Sequence, residues 1–159
     1  MATIYISIGS NIEPRQHVAK ALDELRECFG AIQTSSLYES RAVGFDGDNF
    51  INLVAGAQTD KSIQQVVDCL HEIEDRHGRQ RSGPKFSSRT MDLDLLLYDD
   101  AIYEQGRVKL PRDEILYNAF VLCPLAELAP QLVHPTQGET IGTLWAKFDK
   151  DSQALWEIE

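Results

Sequence analysis

Apolar residues change period several times along the chain, and each change marks an element. Thr3–Ser7 alternates β-branched and aromatic residues with polar ones as a strand does. Gly9-Ser10-Asn11 breaks that strand. Pro14 suits the first turn of a helix, and Val18, Ala21, Leu22, Leu25, Cys28 and Phe29 then recur at helical spacing as far as Gly30. Ile32–Tyr38 and Phe50–Gln58 read as strands, with the aperiodic, glycine-containing loop Glu39–Asn49 between them. Ile63, Val66, Val67, Leu70 and Ile73 predict a second helix over Ile63–His77, stopped by Gly78. Arg79–Ser88 is polar, basic and broken by Gly83-Pro84, the signature of an exposed loop, and Met91–Tyr98 follows as a strand.

Strand, helix, strand, strand, helix, strand is the ferredoxin-like βαββαβ order, an α+β fold with helices packed on one face of an antiparallel sheet. Beyond it the pattern predicts an extended stretch over Ala101–Leu110, short helices at Asp113–Leu116 and Pro124–Leu128, and a last helix over Ile141–Lys147. With no linker or internal repeat, residues 1–159 are expected to form one domain.

Composition adds limits. A hydrophobic fraction of 43% and a charged fraction of 25% are those of a soluble globular protein. No membrane span or signal peptide is expected. The three cysteines, Cys28, Cys69 and Cys123, lack metal-ligand spacing, so free thiols in a reducing cytoplasm are expected. The net charge of −10 argues against nucleic acid as a partner. Yet five of the fifteen basic residues, Arg76, Arg79, Arg81, Lys85 and Arg89, fall within residues 76–89, a local patch suited to a small anion.

The chemistry concentrates just after that patch. On a strand Asp92 and Asp94 share one face, about 7 Å apart along the backbone, while Met91, Leu93, Leu95 and Leu97 take the other. Two carboxylates beside arginines fit magnesium and a polyphosphate, because Mg²⁺ commonly takes one or two carboxylates plus phosphate oxygens. They fit equally a solvated strand face paired with neighbouring arginines. Glu74, in the last turn of its helix, opposes the helix dipole. Phe50, Asn52 and Phe120 supply ring faces and an amide for a flat polar heterocycle, although phenylalanines serve more commonly as core. No P-loop, dinucleotide-binding or zinc-protease motif occurs.

Several stretches together resemble the 6-hydroxymethyl-7,8-dihydropterin pyrophosphokinase family. They are Ile-Ser-Ile-Gly-Ser-Asn-Ile (6–12), Phe50-Ile-Asn52-Leu, Ile73-Glu74 with Gly78-Arg79-Gln-Arg81, Arg89-Thr-Met-Asp92-Leu-Asp94-Leu-Leu, and Phe120-Val-Leu-Cys-Pro124-Leu-Ala-Glu-Leu-Ala-Pro130. The resemblance implies a ferredoxin-like enzyme that transfers the pyrophosphoryl group of ATP to the hydroxymethyl oxygen of a reduced pterin, releasing AMP. It implies that Asp92 and Asp94 ligate two Mg²⁺ ions and that Glu74, Arg79, Arg81 and Arg89 lie along the nucleotide. It puts Asn52, Phe50, Phe120 and Val43 around the pterin, and it makes Glu39–Asn49 and Arg79–Ser88 closing loops. The expected enzyme is a cytoplasmic monomer; the alternative is a paralogue that binds pterin or nucleotide without transfer.

The chain also departs from the family pattern. Pro111-Arg112 stands where Pro-His is usual, Asn118 where an arginine is usual, Phe86-Ser87 where a Trp-Gly pair is usual, and Ser40-Arg41-Ala42-Val43 where prolines are common. Arg112 is expected to restore positive charge on the nucleotide side.

Overall fold

The computed structural model describes residues 1–41, 48–78 and 91–158. Its strands and helices run β1 (Ala2–Ser10), α1 (Pro14–Phe29), β2 (Ile32–Thr34), β3 (Leu37–Ser40), β4 (Phe50–Thr59), α2 (Ile63–Arg76), β5 (Asp92–Tyr98), β6 (Tyr103–Gln105), β7 (Val108–Leu110), α3 (Glu114–Tyr117), α4 (Ala119–Leu128), α5 (Ile141–Lys147) and β8 (Leu155–Ile158). The main sheet is antiparallel in the order β5-β1-β4-β3-β8, with β2 also paired to β4. Without β8 this is the ferredoxin-like arrangement. β6 and β7 make the extended stretch after β5 a hairpin.

The strand expected over Ile32–Tyr38 divides at Ser35. Its hydroxyl takes the Val54 N–H at 3.0 Å while its own N–H bonds the Val54 carbonyl at 2.9 Å, so a side chain substitutes for one backbone partner and resets the pairing.

Alternation along the strands divides the buried residues between two faces. Ile4, Ile6 and Ile8 of β1, Leu53 of β4 and Leu93 and Leu95 of β5 meet Val18, Ala21 and Leu25 of α1 and Val66, Leu70 and Ile73 of α2. Val54 of β4 faces the other way, with Ile115, Val121, Leu122, Leu125 and Ile141 of the C-terminal helices. The two helices of the βαββαβ unit thus cover one face, and the C-terminal segment covers the second and adds β8 to the sheet edge.

Three expectations are corrected here. Pairing between β1 and β5 slips between Tyr5 and Ile6, leaving Leu96 as an extra residue; Leu97 therefore turns to the second face instead of joining Leu93 and Leu95. The helix expected to begin at Pro124 begins at Ala119, with Pro124 inside it. Cys28 and Cys69 are joined as a disulfide, because side-by-side packing of α1 and α2 brings together residues 41 apart in sequence; Cys123 is free.

α1 and α2 also share a polar cluster. His17 Nδ1 lies 2.5 Å from His77 Nδ1, His77 Nε2 lies 2.7 Å from Glu24 Oε1, and Arg76 Nη1 donates to Glu24 Oε2 at 3.1 Å. Burial lowers the His17 pKa, His77 and Lys20 lower it further, and Glu13 opposes them. A depressed folded-state pKa means the unfolded chain binds the proton more readily. This contribution is complete above the unfolded value of about 6.5 and is lost as pH falls from there toward the folded value. Urea unfolding should show stability falling between pH 7.5 and 5.5, with a shallower fall in His17→Asn.

Candidate active site

β1 is the central strand of the site, and its register aligns the functional residues. Gly9 pairs with Asn52 of β4 on one side and with Asp92 of β5 on the other; one step along, Ser7 pairs with Val54 and with Asp94. Directly opposed residues share a face, so Asn52, Asp92 and Asp94 all lie on the second face, as the alternation predicts for the aspartates. Gly9 suits the close approach of its neighbours: a Cβ there would stand 3.0 Å from Asn52 Oδ1, tighter than an ordinary contact. Phe50, two residues before Asn52, shares its face, and Phe120 packs against the apolar cluster of that face from α4.

The carboxylates are under electrostatic stress. Burial raises the Asp94 pKa well above its ordinary value, the neighbouring Asp92 raises it further, and Arg112 partly offsets both. Arg112 Nη2 stands 3.4 Å from Asp94 Oδ1 and 2.9 Å from Glu114 Oε1. Glu114 Oε2 in turn takes a hydrogen bond from Asn118 Nδ2 at 3.3 Å. Two departures from the family pattern, Arg112 and Asn118, are thus tied together through Glu114.

Glu74 approaches β5 from the opposite face. It is 3% exposed, and its Oε2 accepts the Leu93 N–H at 2.9 Å. β5 is an edge strand, and this N–H points away from β1, so a side chain from α2 completes the edge between the two aspartates. At the other end of the site, Asn52 Nδ2 donates to Ser40 Oγ at 2.8 Å, and Asn11 Nδ2 holds the Asp48 carbonyl at 3.0 Å.

The sheet therefore brings Asp92, Asp94, Asn52 and Phe50 onto one face, with Phe120 packed against the apolar cluster of that face and Arg112 and Glu74 at the β5 side. Val43, Arg79, Arg81 and Arg89 lie outside the described residues. Among the described residues no group of three or more His, Cys, Asp or Glu is disposed to hold a metal unaided. Two oxygen-only carboxylates with raised mutual repulsion fit Mg²⁺, which completes its shell with phosphate oxygens and water.

The family described as 7,8-dihydro-6-hydroxymethylpterin-pyrophosphokinase (HPPK) matches residues 5–130, a span containing every site residue named above. The chain belongs to this family. Among HPPK relatives, the 2-amino-4-hydroxy-6-hydroxymethyldihydropteridine pyrophosphokinase of Aquifex aeolicus is 34% identical over 85% of this chain and 85% of its own. The enzyme of the same name from Pseudomonas aeruginosa is 37% identical over 83% of each. In solved structures the fold matches Plasmodium falciparum HPPK-DHPS with a TM-score of 0.72 and 13% identity, over 92% of this chain and 43% of that one. The chain spans less than half the length of that HPPK-DHPS protein.

The sequence offers Asn52 as an amide for a heterocycle edge but gives no sign of Ser40, which accepts from it. Glu74 stands out in the sequence by opposing its helix dipole and, by resemblance, as a nucleotide-side residue; its bond to the edge strand β5 is not visible there. Both partnerships depend on strand register, which no local pattern reports.

Proposed function

We propose that this site performs HPPK chemistry: the hydroxymethyl oxygen of a reduced hydroxymethylpterin attacks the β-phosphorus of ATP. A bond forms from that oxygen to the β-phosphorus as the bond from phosphorus to the α,β-bridging oxygen breaks. AMP leaves, and the hydroxyl proton passes to solvent. The observation that carries this reading is the row Asn52–Gly9–Asp92, which sets an amide for a heterocycle edge and a carboxylate pair for a polyphosphate on one face of three adjacent strands.

Asp92 and Asp94 are the residues that would hold two Mg²⁺ ions, and the bound ions would supply charge neutralisation at the phosphate oxygens. Phe50 and Phe120 present ring faces to the pterin, and Asn52 pairs with its edge. Val43 would contribute from the first loop. Glu74 keeps the carboxylate-bearing strand in place and would lie near the nucleotide, with Arg79, Arg81 and Arg89 supplying phosphate-directed charge. Such a transfer demands positioning and electrostatic stabilisation more than covalent participation by the protein. The proposal extends to a monomer acting in the cytoplasm.

The direct test is AMP formation from ATP, Mg²⁺ and 6-hydroxymethyl-7,8-dihydropterin. Folded protein that produces no AMP above background overturns the reading. Arg112, beside Asp94, would supply positive charge to the nucleotide's phosphates. Loss of one charge-assisted hydrogen bond in Arg112→Ala should raise the KM for ATP about tenfold or more. An unchanged KM for ATP would remove Arg112 from this role.

A further inference from the structure

We propose that Ser40 is a positioning residue of the acceptor site, its hydroxyl holding the Asn52 carboxamide in the pose that pairs with the pterin edge. This rests on the reading of Asn52 as the group that meets the pterin.

A carboxamide has two N–H donors and a carbonyl acceptor, and it directs a planar ligand only if its own plane is held. Asn52 is 4% exposed and Ser40 is 5% exposed, so water offers little to either. Ser40 pairs with Phe50 and Asn52 pairs with Tyr38, making Ser40 and Asn52 diagonal neighbours on one face, within reach of a carboxamide. The 2.8 Å bond from Asn52 Nδ2 to Ser40 Oγ uses one amide hydrogen. The other amide hydrogen and the carbonyl remain as a donor and acceptor pair, the pattern a heterocycle edge requires. On the far side, the missing side chain of Gly9 leaves room for Oδ1.

The strand that carries Ser40 is itself anchored. Glu127 of α4 accepts from the Ser36 N–H at 2.8 Å, from Ser36 Oγ at 3.1 Å and from the Tyr38 hydroxyl at 2.5 Å. α4 also carries Phe120. The amide and one stacking ring are therefore referenced to each other through β3, and Ser40 is the last link to the amide.

Steady-state kinetics with pterin and ATP varied separately test the assignment, alongside thermal unfolding. Ser40→Ala should raise the KM for pterin roughly tenfold, the worth of one buried hydrogen bond, with the KM for ATP nearly unchanged and the melting temperature a few degrees lower, because the buried Asn52 N–H loses its acceptor. Ser40→Thr, which keeps the hydroxyl, should recover most of the loss. In an Asn52→Ala background the Ser40→Ala change should add almost nothing. If Asn52→Ala raises the KM for pterin and Ser40→Ala does not, the Ser40 assignment fails while the site reading stands. If neither variant changes it, the placement of pterin at Asn52 fails and takes the Ser40 assignment with it. A Ser40→Ala defect spread equally over both substrates, and not repaired by Ser40→Thr, marks general packing and also overturns the assignment.

Discussion

Asp94→Asn is expected to reduce AMP formation by about a thousandfold or more, the several kcal/mol that a metal-held phosphate contributes, while the protein melts no lower than wild type. The two halves of this result have one cause. Asp94 is a partly buried carboxylate beside Asp92, and burial and repulsion both penalise its charge. Removing the charge relieves that penalty. Arg112 is not orphaned by the change, because Glu114 remains 2.9 Å away. Added Mg²⁺ should raise the wild-type melting temperature, since a ligand bound only by the folded state stabilises it, and should do so less in the variant. An Asp94→Asn protein that melts several degrees lower would show that the carboxylate supports the fold, contrary to this account.

Glu74→Ala should behave oppositely, losing stability and activity together. Its carboxylate is buried and accepts the Leu93 N–H on the open side of β5. Truncation leaves that edge N–H without this acceptor in an enclosed position, at a cost of about 2–3 kcal/mol for a hydrogen bond to a charged group. Leu93 lies between Asp92 and Asp94, so a looser edge also blurs the spacing of the carboxylates, and kcat should fall by roughly ten- to a hundredfold. Urea unfolding and AMP formation measured on the same preparations check both effects. Glu74→Gln, which retains a carbonyl acceptor, should fall between wild type and Ala in stability.

The contrast between these carboxylates marks what local sequence could convey. The period-2 pattern around Asp92 and Asp94 placed both on one face, because alternation is a property of the strand itself. It misplaced Leu97, because the extra residue at Leu96 arises from pairing with β1. The start of α4 was obscured for a different reason: Ala119, Val121, Leu122, Pro124, Leu125 and Ala126 are all buried, so no polar stripe sets a helical period, and Pro124 looked like a beginning. Cys28 and Cys69 show no telling spacing, since their partnership is made by two helices lying side by side. The chemical groups of the site were thus readable one at a time. The supports that hold them, Ser40 for Asn52 and Glu74 for β5, became visible only with the register.

The row across Gly9 also acts as a measure of length. Asn52 and Asp92 stand one strand to either side of Gly9, so neighbouring strands about 4.8 Å apart set their backbones roughly 10 Å from each other. That interval is maintained by the hydrogen-bond ladders of three strands and does not depend on any loop. Under the proposed reading, that interval is what an acceptor bridges from ring edge to reacting phosphate. A change in strand pairing would therefore alter the distance between the amide and the carboxylates.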